Sequence, residues 1–265
     1  MNHSTYLHYE LLRSFRNKRF MILSLAFPLV LFLLVGGTHR HDMFSGISFP
    51  LYFMAAMATL GTMAAMLSSA GVIAADRATG WMRQMRITPL TDRAYFQAKL
   101  VTAYSRAVLT MALLGVAGVL LGVHLGVSGW LTIIGLLLVG LIPFALMGIV
   151  LGHVIGNDAS APAVGGLVTL FALLGGVYGF QIASKGPMFD FIRVLPSYWL
   201  VQAGKTALHG GSWAPEGWMV MALWTAALIP LALVTYRRDT DRVGAAPARY
   251  RGPPWRWGSH RPPRK

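Results

Sequence analysis

The sequence predicts an all-α membrane protein with six transmembrane helices. Three observations carry that prediction. Hydrophobic residues make up 55% of the 265 residues and charged residues only 12%, with a mean hydropathy of +0.55, whereas soluble domains carry roughly 25% charged residues. The apolar excess is gathered into long runs. The 23 Lys and Arg against 9 Asp and Glu, a formal charge of +14, flank those runs instead of spreading evenly. A chain of this size has too little interior to hide so much apolar surface from water, which excludes both a soluble enzyme and a disordered polymer.

A spanning helix needs about 20 mostly apolar residues. Six stretches qualify: Phe20 to Gly36, Pro50 to Ala75, Leu100 to Val123, Trp130 to Ile155, Ala161 to Ala183 and Gly217 to Tyr236. The first is short and follows Arg13, Arg16, Lys18 and Arg19, as a signal peptide would. Its end, Val35-Gly36-Gly37-Thr38, has no A-x-A-like cleavage site, so a retained span is expected. Six spans place both termini on one side. Nineteen basic residues then fall on that side and four, Arg40, Lys185, Arg193 and Lys205, on the other. This bias predicts cytoplasmic termini.

The segments outside the spans divide the chain further. Residues 1–19 place Tyr6, Tyr9, Leu12 and Phe15 at helical spacing beside basic residues, the pattern of an interfacial helix in the headgroup plane. Residues 20–236 form the six-span transmembrane body. Residues 237–265, with repeated proline, Trp255, Trp257 and nine basic side chains, read as a disordered tail that adheres to anionic lipids, with nucleic acid a poor second partner. The outer stretch Ser184 to Glu216 is apolar but broken by Asp190, Arg193, Pro196 and Lys205, so short helices at or dipping into the outer surface are expected, with aromatics at headgroup depth.

The loop Asp76 to Lys99 is Arg-rich yet keeps Trp81, Met82, Met85 and Ile87. Asp76 to Arg86 is expected as a short helix with its acid at the start, halted by Thr88-Pro89, and Thr91-Asp92 can cap the helix that continues into the third span. A short helix showing apolar and basic groups to the cytoplasm suggests a docking element. Arg106 is expected to snorkel to the headgroups from just inside the third span. His124 and His153, near span ends and without an H-E-x-x-H pattern, read as interfacial histidines. Gly118, Gly122 and Gly126, and Gly148, Gly152 and Gly156, form small-residue stripes for close helix packing. Pro28, Pro143 and Pro230 are expected to kink their helices.

Little chemistry is offered. Cysteine is absent, which removes disulfides and thiolates and leaves the redox compartment undecided. Ala203-Gly204-Lys205-Thr206 imitates the end of a phosphate-binding loop, but that loop needs glycine where Trp199 stands. The nine acids sit at the edges of the spans, which argues against an intramembrane enzyme and against a proton-coupled carrier.

Residues 1–236 resemble the membrane subunit of type-2 ATP-binding-cassette (ABC) exporters, with 20–236 as its permease domain. That family's coupling segment reads like E-R-x-x-G-x-x-x-x-L-R-x-T-P. Asp76-Arg77, Gly80, Arg86, Thr88, Pro89 and Leu90 match it, with Asp for Glu and Met85 for Leu. The Leu195-Pro196-Ser197-Tyr198 turn, followed by Trp199, is similar to the family's external segment. The resemblance implies a cytoplasmic coupling helix between spans two and three and short external re-entrant helices between spans five and six. Its further implications are a bacterial cell-membrane location, no cofactor in this chain, ATP bound by a separate ABC ATPase subunit, and a second permease copy or related chain as partner. Asp76, Arg77, Gly80, Trp81, Met82, Met85, Arg86, Thr88 and Pro89 would serve ATPase coupling. The implied activity is export of an amphipathic or hydrophobic drug, lipid or glycan, including antibiotic-resistance substrates. The rivals are a stand-alone homo-oligomeric carrier or channel and a non-transporting membrane scaffold.

The topology is directly testable because the native chain lacks cysteine. Single cysteines at Ser4, Thr91 or Ser259 should be shielded from an impermeant thiol reagent in intact cells, and those at Ser45 or Ser212 should react. Labelling of position 91 from outside would overturn the six-span arrangement.

Overall fold

A computed structural model of the chain describes residues 3–16, 25–44, 46–81, 92–178, 185–208 and 211–245. Among the described residues, five stretches are long and apolar enough to cross a membrane: Phe49–Ala78, Ala94–Leu120, Val127–Val154, Asn157–Gly175 and Pro215–Asp239. They overlap the second to sixth predicted spans, although the third begins at Ala94, before the expected Leu100, and the fifth ends at Gly175, before the expected Ala183. The first predicted span is represented by a shorter apolar helix, Phe27–Gly36, and its expected start at Phe20 lies outside the described residues.

In chain order the elements are α1 (His3–Arg16), α2 (Phe27–Leu31, continuing as π-helical turns over Phe32–Gly36), the two-residue strands β1 (Met43–Phe44) and β2 (Ile47–Ser48), α3 (Phe49–Leu67), α4 (Ser69–Ala78), α5 (Asp92–Leu120), α6 (Val127–Gly140), α7 (Ile142–Val154), α8 (Asn157–Gly175), α9 (Pro187–Val194), α10 (Pro196–Leu208) and α11 (Pro215–Ala245). The strands pair antiparallel, Met43 opposite Ser48 and Phe44 opposite Ile47, around Gly46 at φ +81°.

Helix α3 is the centre. It packs on α2, α5, α7, α8 and α10. The most apolar window of the α3–α4 span is 83% buried inside the bundle, against 22% for Pro215–Asp239, whose remaining surface is left for lipid. An all-round apolar helix suits that central place because every face meets a neighbour. The α3–α4 break falls at Ser68, where the Ser68 and Ser69 hydroxyls donate to the Ala65 and Met66 carbonyl oxygens, a back-bonding that bends helices. Pro143 in the first turn of α7 accounts for the break after α6. Pro230, by contrast, lies within a continuous α11.

Small residues set the closest approach. A Cβ on Gly152 would lie 2.6 Å from Ile73 Cβ, and one on Gly148 would lie 2.7 Å from the Met66 carbonyl oxygen, so α4 and the end of α3 ride directly on α7. Gly118 makes room for the Met54 thioether on α3, a side-chain contact, not a backbone one. Gly126 and Gly156 face no close neighbour across helices, and Gly122, at φ +84°, ends α5 instead of packing it. The stripes are thus half packing surface and half punctuation.

Four expectations are corrected here. Asp76 and Arg77 do not open a separate helix; they form the last turn of α4, which stops at Thr79 and Gly80 because Gly80 adopts φ +73°. Helix α11 runs to Ala245, past the expected start of the tail at Arg237. His153 is buried, not interfacial: its Nδ1 meets the Ile149 carbonyl oxygen at 2.8 Å and its ring packs on Phe96 and Tyr236. Tyr198 and Trp199 of α10 are buried inside the protein, Tyr198 against Phe189 of α9 and Trp199 against Gly217 of α11, and the Trp199 indole donates to the Arg193 carbonyl oxygen at 2.7 Å.

Two alanine substitutions separate packing from helix propensity. Gly152→Ala should destabilise the purified chain by about 1–3 kcal/mol through overpacking. Gly166→Ala, whose Cβ would meet nothing within 4 Å, should be neutral or stabilising by up to about 1 kcal/mol. Melting temperatures in one detergent check both. Equal shifts of the same sign would contradict the close α4–α7 approach.

Candidate functional site

At the end of the bundle where α1, α4 and α5 meet, four charged side chains form one cluster. Glu10 and Arg13, three residues apart, share a face of α1. Asp76 comes from the last turn of α4 and Lys99 from the first turns of α5. Lys99 Nζ lies 2.6 Å from Asp76 Oδ2 and 2.5 Å from Glu10 Oε1, while Arg13 Nη2 reaches Asp76 Oδ1 at 2.7 Å. Asp76 is 0% exposed, Lys99 3% and Glu10 4%. Two acids and two bases cancel. Arg13 is half-exposed, but removing water from the other three charges is costly, and only mutual pairing of this quality offsets it.

The Asp76 charge also strengthens the proton hold of its partner. Burial alone would lower the Arg13 pKa, but the adjacent Asp76 and Glu10 carboxylates outweigh it and raise it above the ordinary arginine value. Burial, with the same two carboxylates, pushes the Tyr6 phenol up, so Tyr6 stays neutral. Tyr6 packs with Tyr95, Ala98 and Tyr236, which draws the end of α11 to the same place. One residue after Asp76, Arg77 turns to another side of the helix. Its Nη1 donates to the Gly152 and Ile155 carbonyl oxygens at 3.2 Å each, at the C-terminus of α7, where the helix dipole favours a cation. Its Nε lies 2.6 Å from Asp239 Oδ2 on α11.

Beside the cluster opens a cavity of about 650 Å³ between α1, α2, α3–α4, α5 and α8. Phe27, Leu60, Val72, Val164 and Val168 supply apolar wall; Arg106, Ser68, Asn157, Ser160 and Thr169 supply polar wall, with Glu10 and Arg13 at the α1 end. Arg106 is therefore a further correction. It does not snorkel to the headgroups but is 6% exposed and faces the bundle interior. A second, almost wholly apolar groove of about 490 Å³ lies between α3, α5 and α6, lined by Met54, Val108, Met111, Trp130 and Ile133 among others.

Of the residues that the sequence assigned to coupling, Asp76 and Arg77 lie in these ion pairs, Gly80 makes the turn, and Trp81 is half-buried with its indole beside Tyr6. Met82, Met85, Arg86, Thr88 and Pro89 lie outside the described residues. In the other assigned segment, Leu195 is extended and Pro196 starts α10, which carries Tyr198 and Trp199. Ala203 to Thr206 is part of the same helix. Glu10, Arg13, Lys99 and Asp239 were not singled out from sequence. The Glu10–Arg13 spacing was the one available signal; the Lys99 partners are 23 and 89 residues away, and Asp239 is farther still from Arg77.

Removing one member of the cluster leaves the others buried and mispaired. Asp76→Asn, nearly the same shape, should cost about 3–5 kcal/mol of stability, whereas Arg16→Gln, on an exposed residue of α1, should cost less than about 0.5 kcal/mol. Thermal unfolding of the two purified variants measures the difference. A similar melting point for both would show that the cluster is solvated.

The chain matches the family described as ABC-2 family transporter protein over residues 42–236, most of its length. It is 23% identical over 237 residues to the Bacillus subtilis (strain 168) protein named "Putative transport permease YvfS", an alignment covering 88% of this chain and 96% of that protein. Members of the family generally work with an ATP-binding partner. Five apolar helices of spanning length agree with that match, and the chain belongs to the ABC-2 family of transporter proteins as a multi-pass membrane permease.

Proposed function

We propose that the chain is the permease half of an ATP-driven exporter. It has six spans, counting α2 and the segment before it as the first, and both termini in the cytoplasm. It pairs with a second copy or a related permease chain and with two separate ABC ATPase subunits, which bind the ATP. The positive-inside bias supports the orientation. With it, the charge cluster lies at the cytoplasmic end, and the α9–α10 pair lies at the outer end as the re-entrant element.

The observation that carries this reading is the buried cluster. The segment beginning at Asp76 carries the family's coupling pattern, and its first two residues are ion-paired to α1, α5 and α11 and hydrogen-bonded to α7. A force on the segment after Gly80 is thereby applied to four helices together, not to a loose loop. ATP binding can shift the permease between inward- and outward-facing states only if its partner binds the two differently, and a rigidly anchored segment transmits that difference. Trp81, Met82, Met85 and Arg86 are the proposed contacts with the ATPase. The cargo is an amphipathic or hydrophobic molecule held against the α2–α4–α8 wall.

Arg86→Glu and Trp81→Ala should each reduce co-purification of the ATPase subunit by about tenfold or more, since large aromatic and Arg anchors typically carry about 2 kcal/mol or more of an interface. The amount of each variant in the membrane should stay near wild type. Wild-type assembly and export by both variants would sink the coupling assignment.

A further inference from the structure

We propose that the apolar groove between α3, α5 and α6 holds one acyl chain of a membrane lipid, chosen by its tail and not by its headgroup. The groove shares no lining residue with the cavity beside the charge cluster. The inference therefore goes beyond the coupling and cargo readings and needs neither an ATPase nor a substrate.

The place of the groove along the helices says what covers it. On α5 the lining runs from Val108 to Leu120, twelve residues or about 18 Å of helix. Lys99 of the charge cluster belongs to the opposite end of α5. The groove thus occupies the half of the bundle remote from the cluster. Its length is close to one leaflet of a hydrocarbon core about 30 Å thick, the outer leaflet in the orientation proposed above. Val108, Val116, Val119 and Leu120 on α5 and Ile134 on α6 are exposed along its rim, within stretches of spanning length. In a multi-pass membrane permease such a rim faces lipid, and the groove is a furrow in that lipid-facing surface.

The lining selects a tail. Met54, Met111, Leu114, Ile133 and Leu137 form a buried floor, and among the described residues that line the groove none carries a charge or a hydroxyl. A headgroup drawn into it would lose its hydrogen bonds with water and gain none. Apolar character alone gives no preference, because lipid tails are as apolar as leucine. Shape does. A furrow touches a chain on several sides where a smooth helix face touches it on one, and each added carbon contact contributes dispersion energy. The Trp130 ring comes close to α5 at Gly115, where a Cβ would lie 3.3 Å from it, and forms one wall. The floor methionines are flexible and polarizable, so they can follow tails of different shape. A helix of a second copy is too wide: at the same length and about 10 Å across, it fills more than about twice the groove's volume of about 490 Å³.

The test uses the full chain, purified in detergent without an ATPase, and native mass spectrometry of the lipid it retains. Dioleoyl phosphatidylcholine is compared with dioleoyl phosphatidylglycerol, which has the same tails and another head. Dioctanoyl phosphatidylcholine, whose tails are too short to fill the groove, is the third lipid. Ala112 is an exposed lining residue, so Ala112→Phe fills the groove without entering the core; Val116→Phe, also on the rim, is a second filling variant. Ala227→Phe, exposed on α11 away from the groove, is the control. Affinity for both dioleoyl lipids should fall about tenfold in each filling variant, the loss expected for about ten carbon–carbon contacts, and stay at the wild-type value in Ala227→Phe. The two heads should bind equally well and the short-tailed lipid more weakly. Dibrominated tails should quench Trp130, read as the difference between wild type and Trp130→Phe. Wild-type retention in both filling variants, a preference that follows the head, or equal retention of the short-tailed lipid overturns the proposal. An absent Trp130 difference overturns it even where a filling variant fails to fold. A dimer that both filling variants dissociate, with no lipid retained, overturns it in favour of a permease–permease interface. None of these outcomes touches the export reading, whose failure is read from ATPase co-purification.

Discussion

Two acids and a lysine held out of water, with Arg13 half-exposed at their edge, compel α1, α4 and α5 to share one corner of the molecule. None of Glu10, Asp76 and Lys99 could remain buried if one partner moved away, because a lone charge in that setting costs several kcal/mol. Such a cluster is poor as a source of net stability, since desolvation consumes much of the attraction. It is effective as a specifier. α1 has too little apolar surface to find one position on the bundle by burial alone, with Tyr9, Leu12 and Phe15 exposed. The ion pairs and the buried Tyr6 fix it.

The rest of the bundle is arranged around α3, and there the determinants are shape and size. Lipid tails are as apolar as leucine, so apolar surface does not by itself choose between a helix neighbour and lipid. Close backbone approach does. Gly148 and Gly152 admit the α3–α4 backbone to within a distance that no side chain would allow, and the attraction there is dispersion, small for each atom pair and summed along the helix. Helices without such stripes toward a neighbour, α11 above all, keep much of their surface for lipid.

The spans are interrupted at three places, two of them at the wall of the cavity. Ser68 and Ser69 interrupt α3–α4 next to the cavity, the π-helical turns of α2 lie one turn from Pro28 on its wall, and Pro143 separates α6 from α7. Each has a local cause: hydroxyl back-bonding, an irregular hydrogen-bond ladder, or a missing N–H. Below Ser68 the chain is clamped by Asp76 and Arg77, so a bend at the serines would separate a tied end from the α3 segment that lines the cavity.

Composition and the spacing of apolar runs determined the fold class, because a helix that must satisfy its own backbone in lipid has a fixed minimum length. The positions of spans two to six followed with ends shifted by one to eight residues, and the resemblance of Asp76-Arg77 and Gly80 to a coupling pattern rested on local sequence alone. What the sequence could not decide was the direction in which charged and aromatic side chains turn. Arg106 looked able to reach the headgroups, His153 looked interfacial, and Tyr198 and Trp199 looked like girdle residues; all four are buried. Whether a side chain at a span end meets water, lipid or protein depends on neighbours such as Glu10, Phe96 and Tyr236. Those are brought in by packing from distant parts of the chain, and only the tertiary structure decides it.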